Sequence, residues 1–257
     1  MKTSIVIAVL DSHKAVERQL RYFEAMPLPD DMELILVDDG SDPPLKDFLN
    51  SDHRPTNLRI LRHDIDAIWT QPAARNYGAK EASGEFLILT DIDHILCKPL
   101  IDAVSSGKWD CMMFEREVAV LDEDGCFVQD DETVLEYGYL DWRLKENKYK
   151  IPRHVNSFGI RKSLFWELGA MNEHRVGTGK YPNGEDGRLR NRLGQRRREG
   201  TIQYCPEEQW PMIYMFPNGK YTGDVDHNPF DLFHDLTRKV DRNRQWRMQK
   251  AGKFKRE

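Results

Sequence analysis

The chain has 257 residues, 39% hydrophobic and 32% charged, with a formal net charge of −5. That balance suits a large folded domain with a polar surface and argues against nucleic acid as the main partner. No run of about 18 apolar residues is present, and four scattered cysteines without a CxxC pair point to reduced thiols rather than a disulfide scaffold.

Residues 1–10 superficially resemble a signal peptide, but the apolar run is short, Asp11 follows at once and no small-residue cleavage site is seen. Residues 4–9, continuous and β-branched, therefore predict a first strand covered on both faces. Asp11 or Ser12 can cap a helix in which Val16, Leu20 and Phe23 recur at helical spacing, ended by Pro27 and Pro29. Residues 33–37 predict a second strand, closed by the polar turn Asp38-Asp39-Gly40-Ser41. A third strand is expected over 58–61, a helix with small residues on one side over 71–82, and a fourth strand over 85–90. A helix over 99–105 and a strand over 111–114 follow. This alternation predicts an α/β fold, a mostly parallel, doubly wound sheet.

Beyond residue 116 the rhythm breaks. Residues 118–121 and 126–128 predict a hairpin around Asp122-Glu123-Asp124-Gly125, while 130–152 are polar and aromatic without period. A strand is expected over 155–160, a short helix over 162–168 stopped by Gly169, and a loop over 171–184. Residues 185–198 predict a helix with Leu189 and Leu193 on its inner side. Late strands are expected over 201–204 and 211–216. Residues 238–257 are rich in Lys and Arg, either a solvated tail or a segment that docks on acidic headgroups or a polyanion.

Four polar clusters fall where predicted strands or helices end, the usual place for a site in an α/β protein. Asp38 and Asp39 can accept hydrogen bonds from a nucleobase or ribose, although Asp-Gly is also ordinary turn chemistry. Arg75, within Ala73-Ala74-Arg75-Asn76-Tyr77-Gly78-Ala79, breaks a pattern of small residues with a charge suited to phosphate, carboxylate or a surface ion pair. Asp91 and Asp93 follow a buried strand at alternate positions, so their side chains are expected to converge. Two like charges so placed favour a divalent cation between them and a phosphorylated ligand. Glu185 and Asp186 precede an amphipathic helix, where they serve either as a first-turn cap or, for Asp186, as a general base. His227 lies in Gly223-Asp224-Val225-Asp226-His227-Asn228-Pro229, a polar loop or a nitrogen ligand that would suit manganese better than magnesium.

Taken in order, these residues resemble a GT-A-fold glycosyltransferase over roughly residues 3–235. The first strand, Val37-Asp38-Asp39-Gly40-Ser41, and Ala74-Arg75-Asn76-Tyr77-Gly78 followed by Leu89-Thr90-Asp91-Ile92-Asp93 are similar to family 2 enzymes and their DxD motif. The resemblance implies donor contacts at Ala8, Leu10, Asp38, Asp39, Arg75, Asn76 and Asp91. It also implies metal ligation by Asp93, with Asp91 nearer the ribose or metal-bound water. Gly184-Glu185-Asp186 is similar to the acceptor-side segment of β-1,4-galactosyltransferases, and a downstream histidine, best matched by His227, completes their metal site. Tyr181-Pro182-Asn183 stands where that family has a tryptophan, and the N-terminal membrane anchor of its Golgi members is not expected here.

The implied protein is a single glycosyltransferase domain over 1–235, with a nucleotide-sugar half (1–116), an acceptor-side half (117–235) and a basic tail (236–257). Its expected reaction moves a sugar from a nucleotide diphosphate donor, UDP by resemblance, to the hydroxyl of a glycan or other acceptor with inversion. Mn2+ or Mg2+ assists, Asp186 takes the acceptor proton, Glu185 orients hydroxyls and residues 173–183 close as a lid. A cytoplasmic setting is expected, with the tail able to dock at a membrane. Two other readings use the same residues. A haloacid-dehalogenase-type phosphatase shares strand-then-DxD, but expects Thr or Val where Ile95 stands; a non-catalytic nucleotide-sugar or glycan binder would not require Glu185 and Asp186. A sugar-nucleotide pyrophosphorylase would require a Gly-rich loop where Leu10-Asp11-Ser12-His13 stands.

Overall fold

Alternation of strand and helix is realised from the first residues. In the computed structural model, which describes residues 1–49, 55–65, 67, 70–136, 149–151, 153–174, 176 and 187–216, β1 (Thr3–Val9), β2 (Met32–Asp38), β3 (Leu58–Arg62) and β4 (Phe86–Asp91) run parallel. The six-stranded sheet has the order β3-β2-β1-β4-β10-β6, with β6 at Cys111–Met113 and β10 at Phe158–Arg161. β10 runs antiparallel to both its neighbours.

Strand side chains alternate between faces, so a continuous apolar strand must be covered twice. Ile5, Ile7, Leu34, Leu36, Phe86 and Ile88 face one core. It is closed by Val16, Leu20 and Phe23 of α1 (His13–Ala25) and by Leu100, Ile101 and Val104 of α4 (Lys98–Ser105). Val6, Ile35, Val37, Leu87 and Leu89 face the other. Its cover is α3 (Gln71–Glu81), α6 (Lys162–Glu167) and α7 (Gly187–Glu199), which contributes Leu189 and Leu193. α3 lies close because Gly78 has no side chain: a Cβ there would fall 2.5 Å from Val6 Cγ1 and 2.7 Å from Val37 Cγ2.

At the amino-terminal edge of the sheet Glu33 is tied into a polar knot. Its Oε1 accepts from Ser4 Oγ and from Ser83 N and Oγ, each at 2.6 Å, and its Oε2 from Arg59 Nη1 at 3.0 Å. Burial pushes the Glu33 carboxyl up, but these donors outweigh it and hold it at about 2.

A second sheet has the order β5-β11-β7, formed by β5 (His94–Ile95), β7 (Glu115–Val118) and β11 (Met212–Met215). The expected hairpin is present as β8 (Val120–Leu121) and β9 (Phe127–Val128). Its turn is organised by the Asp122 carboxylate, which accepts from Asp124 N (3.0 Å) and Cys126 N (2.8 Å). Gly169 stops α6 in the left-handed region at φ +86. Three local expectations change. The aperiodic stretch after 130 contains a further helix, α5 (Asp131–Glu136), whose start is capped by Asp130: its carboxylate accepts from Thr133 N at 2.8 Å and Thr133 Oγ1 at 3.0 Å. The strand expected over 201–204 contracts to one bridge between Tyr204 and Cys111, because Gln203 N turns to the Asp110 carboxylate instead. A short helix α2 (Leu45–Phe48) is added after the β2 turn. Among the described residues all four cysteines are free, and no helix is long and apolar enough to cross a membrane.

Candidate functional site at the carboxyl ends of the strands

From β1 the chain continues to β2 and β3 on one side, and β4 lies on the other, so connectivity reverses between β1 and β4. A crevice opens outside the carboxyl ends at such a point. There Ala8 is paired in register with Asp91, and Val9 with Asp38. Ala8 and Leu10 are partly exposed at this rim.

The turn after β2 is built around Asp38, which is 1% exposed. One oxygen accepts from Ser41 N (2.8 Å), the other from Leu45 N (2.8 Å) and Arg62 Nη1 (2.7 Å). Asp38 thus serves the turn. Asp39, also buried, accepts from Thr70 Oγ1 (2.5 Å) and faces His63 Nδ1 at 3.1 Å. Asp11 adopts a left-handed backbone at φ 50, tolerated by Asp, and links the two loops. Its N–H donates to Ser41 Oγ at 3.0 Å and its carboxylate accepts from Asp42 N at 2.8 Å.

Close packing of α3 brings Gln71 and Arg75 to the end of β4. Arg75 is fully buried. Its Nη2 pairs with Asp91 Oδ1, its Nη1 donates to the Asn156 carbonyl at 3.1 Å, and its Nε has no hydrogen-bond acceptor among the described residues. Gln71 Nε2 adds a bond of 3.0 Å to the same Asp91 oxygen. Asn76 is turned elsewhere. It clamps the 171–173 segment, donating to Met171 O (2.9 Å) and Glu173 Oε1 (2.5 Å) while accepting from Met171 N (3.0 Å).

Asp91 and Asp93 do not share a strand face as alternation predicted. β4 ends at Asp91, Ile92 and Asp93 form a turn, and the chain pairs again as β5 at His94. Gln19, buried on α1, holds this turn: its Nε2 donates at 2.8 Å to both Ile92 O and His94 O. Asp93 O accepts from Phe216 N at 2.9 Å. Asp93 Oδ1 lies 2.8 Å from His94 Nδ1, although neither atom makes a hydrogen bond of proper angle.

Two histidines complete the site, and neither is among the expected site residues. His94 is 1% exposed and neither ring nitrogen has a hydrogen-bond partner among the described residues. His154 precedes β10, and the antiparallel direction of that strand delivers it to Asp91, with Nδ1 3.1 Å from Asp91 Oδ2 and 3.1 Å from Ser157 Oγ. The two imidazoles stack at 5.4 Å and 21°. Burial pushes the Asp91 carboxyl up, but Arg75, then His154 and His94, outweigh that and hold it well below the usual carboxylate range. Desolvation lowers His154 to about 4, so its imidazole is neutral near pH 7. One donor atom from each of Asp91, His94 and His154 lies within 4.8 Å of the others. A carboxylate oxygen and two imidazole nitrogens, one of them buried without partner, fit a divalent metal.

Glu185, Asp186, His227, most of the expected lid over 173–183 and the basic tail lie outside the described residues.

Residues 4–169 match the family described as Glycosyl transferase family 2. Among solved structures, the chain is similar to S. aureus TarS 1-349, at 16% identity and a TM-score of 0.54, over 84% of this chain and 60% of that one. It thus spans about three fifths of that chain's length. The same protein in complex with UDP-GlcNAc aligns at 13% identity and a TM-score of 0.56, over 97% of this chain and 73% of that one. At these identities the likeness is one of fold, and it agrees with the α/β architecture expected from the sequence. No curated protein matches the chain.

Proposed function

Because the chain belongs to glycosyltransferase family 2, we propose that it moves a hexose from a nucleoside diphosphate donor, UDP in first place, to an acceptor hydroxyl with inversion. The observation that carries this reading is the β1/β4 switch point, where Asp91 is held by Arg75 and Gln71 beside Ala8. The choice of UDP is supported by the TarS complex with UDP-GlcNAc and by the Asp38–Asp39 turn resembling a base-binding loop.

In this reading Ala8 and Leu10 line the donor crevice, Asp39 faces the nucleobase and Asp91 faces the ribose and diphosphate. Asp38 and Asn76 act from behind by shaping the β2 turn and the 171–173 segment. Arg75 supports Asp91 and places a buried positive charge beside the expected diphosphate position. A divalent cation, Mn2+ or Mg2+, supplies Lewis-acid neutralisation of charge on the departing nucleotide when bound. The family resemblance assigns it to Asp93 and Asp91, with His227 beyond the described residues. Asp186 takes the acceptor proton and Glu185 orients hydroxyls, and the resemblance to the galactosyltransferase acceptor-side segment supports both roles. We also take residues 1–235 as one catalytic domain, 1–116 holding the donor and 117–235 the acceptor, in a cytoplasmic protein whose 236–257 tail can touch a membrane.

The test is nucleotide release from a panel of nucleotide sugars with Mn2+, comparing the natural chain with Asp186→Asn. Loss of ~10²–10⁴-fold in turnover with donor binding kept is expected of a general base. Undiminished transfer by Asp186→Asn would remove that assignment, and no turnover of any donor by the natural chain would remove the proposed activity.

A further inference from the structure

A row of guanidinium groups and aromatic rings runs along one edge of the six-stranded sheet. β6 is the terminal strand on that side. Beside its start Tyr204 forms a bridge with Cys111, and just past its end Glu115 N donates to the carbonyl of Pro211, the neighbour of Trp210. Arg197 of α7 lies over the Tyr204 ring at 4.6 Å. Tyr204 meets Trp210 edge-on at 6.4 Å and 71°, and Arg153 lies over Trp210 at 4.5 Å. The next residue is His154, whose Nδ1 stands 3.1 Å from Asp91 Oδ2. The row therefore leads from α7 to the donor crevice.

Both rings pack against the core, and Trp210 Nε1 donates to the Cys205 carbonyl at 2.9 Å, which fixes that ring. A guanidinium stacked on a ring uses its face, whereas its N–H groups lie in its plane and stay directed outward. Arg197, exposed, makes no hydrogen bond or salt bridge among the described residues. Arg153, also exposed, stands 3.6 Å from Glu115 and 3.7 Å from Glu207, beyond hydrogen-bond distance, and Glu115 lies closer to Lys150, at 3.1 Å. Two guanidinium groups are thus held in place with unused donors. Positive charge is concentrated on the same element: α7 has six arginines, no lysine and one glutamate, a net +5 in a chain whose net charge is −5. Arg190, seven residues before Arg197, lies two turns along the same face. Arginine rather than lysine suits bidentate recognition of carboxylate and phosphate.

We propose that Arg197 and Arg153, held on Tyr204 and Trp210, form a binding track for an acceptor glycan that carries anionic groups, carboxylate or phosphate, along its chain. A chain lying on the track passes along β6 and brings its end to the rim of the crevice at His154. A protein of net negative charge repels such a polymer elsewhere, so the arginines also set where it lands. A neutral glycan lacks partners for the guanidinium edges, and the ring faces it would stack on are already covered. The same covering argues against a membrane, which requires apolar groups aimed outward from the charged face. The inference names the acceptor class of the proposed transfer and rests on that reading for the track's purpose, but not for its ligand.

The experiment is calorimetric titration of the full chain, without donor, against oligogalacturonate, phosphorylated dextran, neutral dextran of equal length, and vesicles of phosphatidylcholine with phosphatidylglycerol. We expect at least one anionic glycan to bind, more weakly as salt rises, and neutral dextran and vesicles not to bind; which glycan binds tells carboxylate from phosphate. Arg153→Gln and Arg197→Gln each weaken binding about 10-fold, and Arg197→Lys, which keeps the charge without the fork, restores only part of it. Arg188→Gln removes the same charge nine residues before Arg197, on the opposite side of α7, and should bind like the natural chain. Thermal unfolding checks that each variant is folded, and either exposed arginine carries the test alone if the other variant is not. Folded Arg153→Gln and Arg197→Gln that bind like the natural chain overturn the track. So do an equal loss in Arg188→Gln, equal binding of neutral dextran, no binding of either anionic glycan, and binding of vesicles in their place. Nucleotide-sugar turnover is measured separately. Arginine-dependent glycan binding without turnover of any donor removes the transferase proposal alone, whereas turnover without anionic-glycan binding removes the track alone.

Discussion

Replacing Arg75 by Met keeps most of the side-chain volume and removes the guanidinium, leaving Asp91 without its strongest partner. Removing one member of a buried ion pair typically costs about 3–5 kcal/mol, because the other charge stays desolvated. Here the exposures are unequal, 0% for Arg75 and 21% for the Asp91 side chain, so water relieves part of the carboxylate's burden. The Asn156 carbonyl loses its donor as well. These opposing corrections leave about 3 kcal/mol for Arg75→Met, with about 2 kcal/mol for Asp91→Asn, which keeps an acceptor oxygen for Gln71. The two changes should not add. The double variant removes both charges together, and the cycle should return a coupling of about 2 kcal/mol. Urea unfolding followed by tryptophan fluorescence gives all four stabilities, provided m stays constant. Additivity within about 0.5 kcal/mol would refute the claim that this pair is coupled in the fold.

Two further predictions concern the scaffold that aims the site. Glu33 is held at about 2 by Ser4, Ser83 and Arg59 against burial, below its ordinary 4.5. A carboxyl depressed in the folded state stabilises it fully above about pH 4.5, and this contribution is lost as pH falls towards 2; allowing for solvent around the group, it amounts to about 2 kcal/mol. Glu33→Gln should therefore lose stability at pH 7 and show a flatter acid limb than the natural chain, and parallel profiles from pH 7 to 3 would refute the linkage. At Gly78, an Ala gains about 1 kcal/mol in helix propensity but must push β-branched Val6 and Val37 aside, so the net loss should be about 1–2 kcal/mol. A Gly78→Ala protein as stable as the natural chain by thermal unfolding would show that α3 can lift from the sheet without penalty.

The parallel half of the fold was legible because buried strands carry their own signal. Residues 4–9, 33–37, 58–61 and 85–90 are short apolar runs bounded by polar turns, and each lies within β1, β2, β3 or β4 to within a residue or so at its ends. The small side of α3 was equally readable, since Ala74, Gly78 and Ala79 have no other reason to recur on one face. What failed was the step from the strand to the aspartates. Alternation holds only while the chain stays extended, and the extension ends at Asp91, so the period-2 argument does not carry to Asp93, which lies in the Ile92–Asp93 turn and meets His94 instead.

The histidines were illegible for a different reason. His94 follows the motif directly, so adjacency was a signal, but a lone histidine beside a carboxylate is common on polar surfaces, and its burial depends on β5 pairing with β11 some 120 residues later. His154 carried no local signal. Its place follows from the direction of β10, which sends residues just before Phe158 to the carboxyl end of β4, where a parallel strand would have sent those after Arg161. A site at a switch point collects residues from the carboxyl ends of parallel strands and from the amino ends of antiparallel ones. Motif reading found only the first kind, because strand direction is a property of tertiary pairing and not of any short segment. Polar residues just ahead of an antiparallel strand inserted in a parallel sheet, here His154, Asn156 and Ser157, are therefore where the remaining site residues of such a chain should be sought.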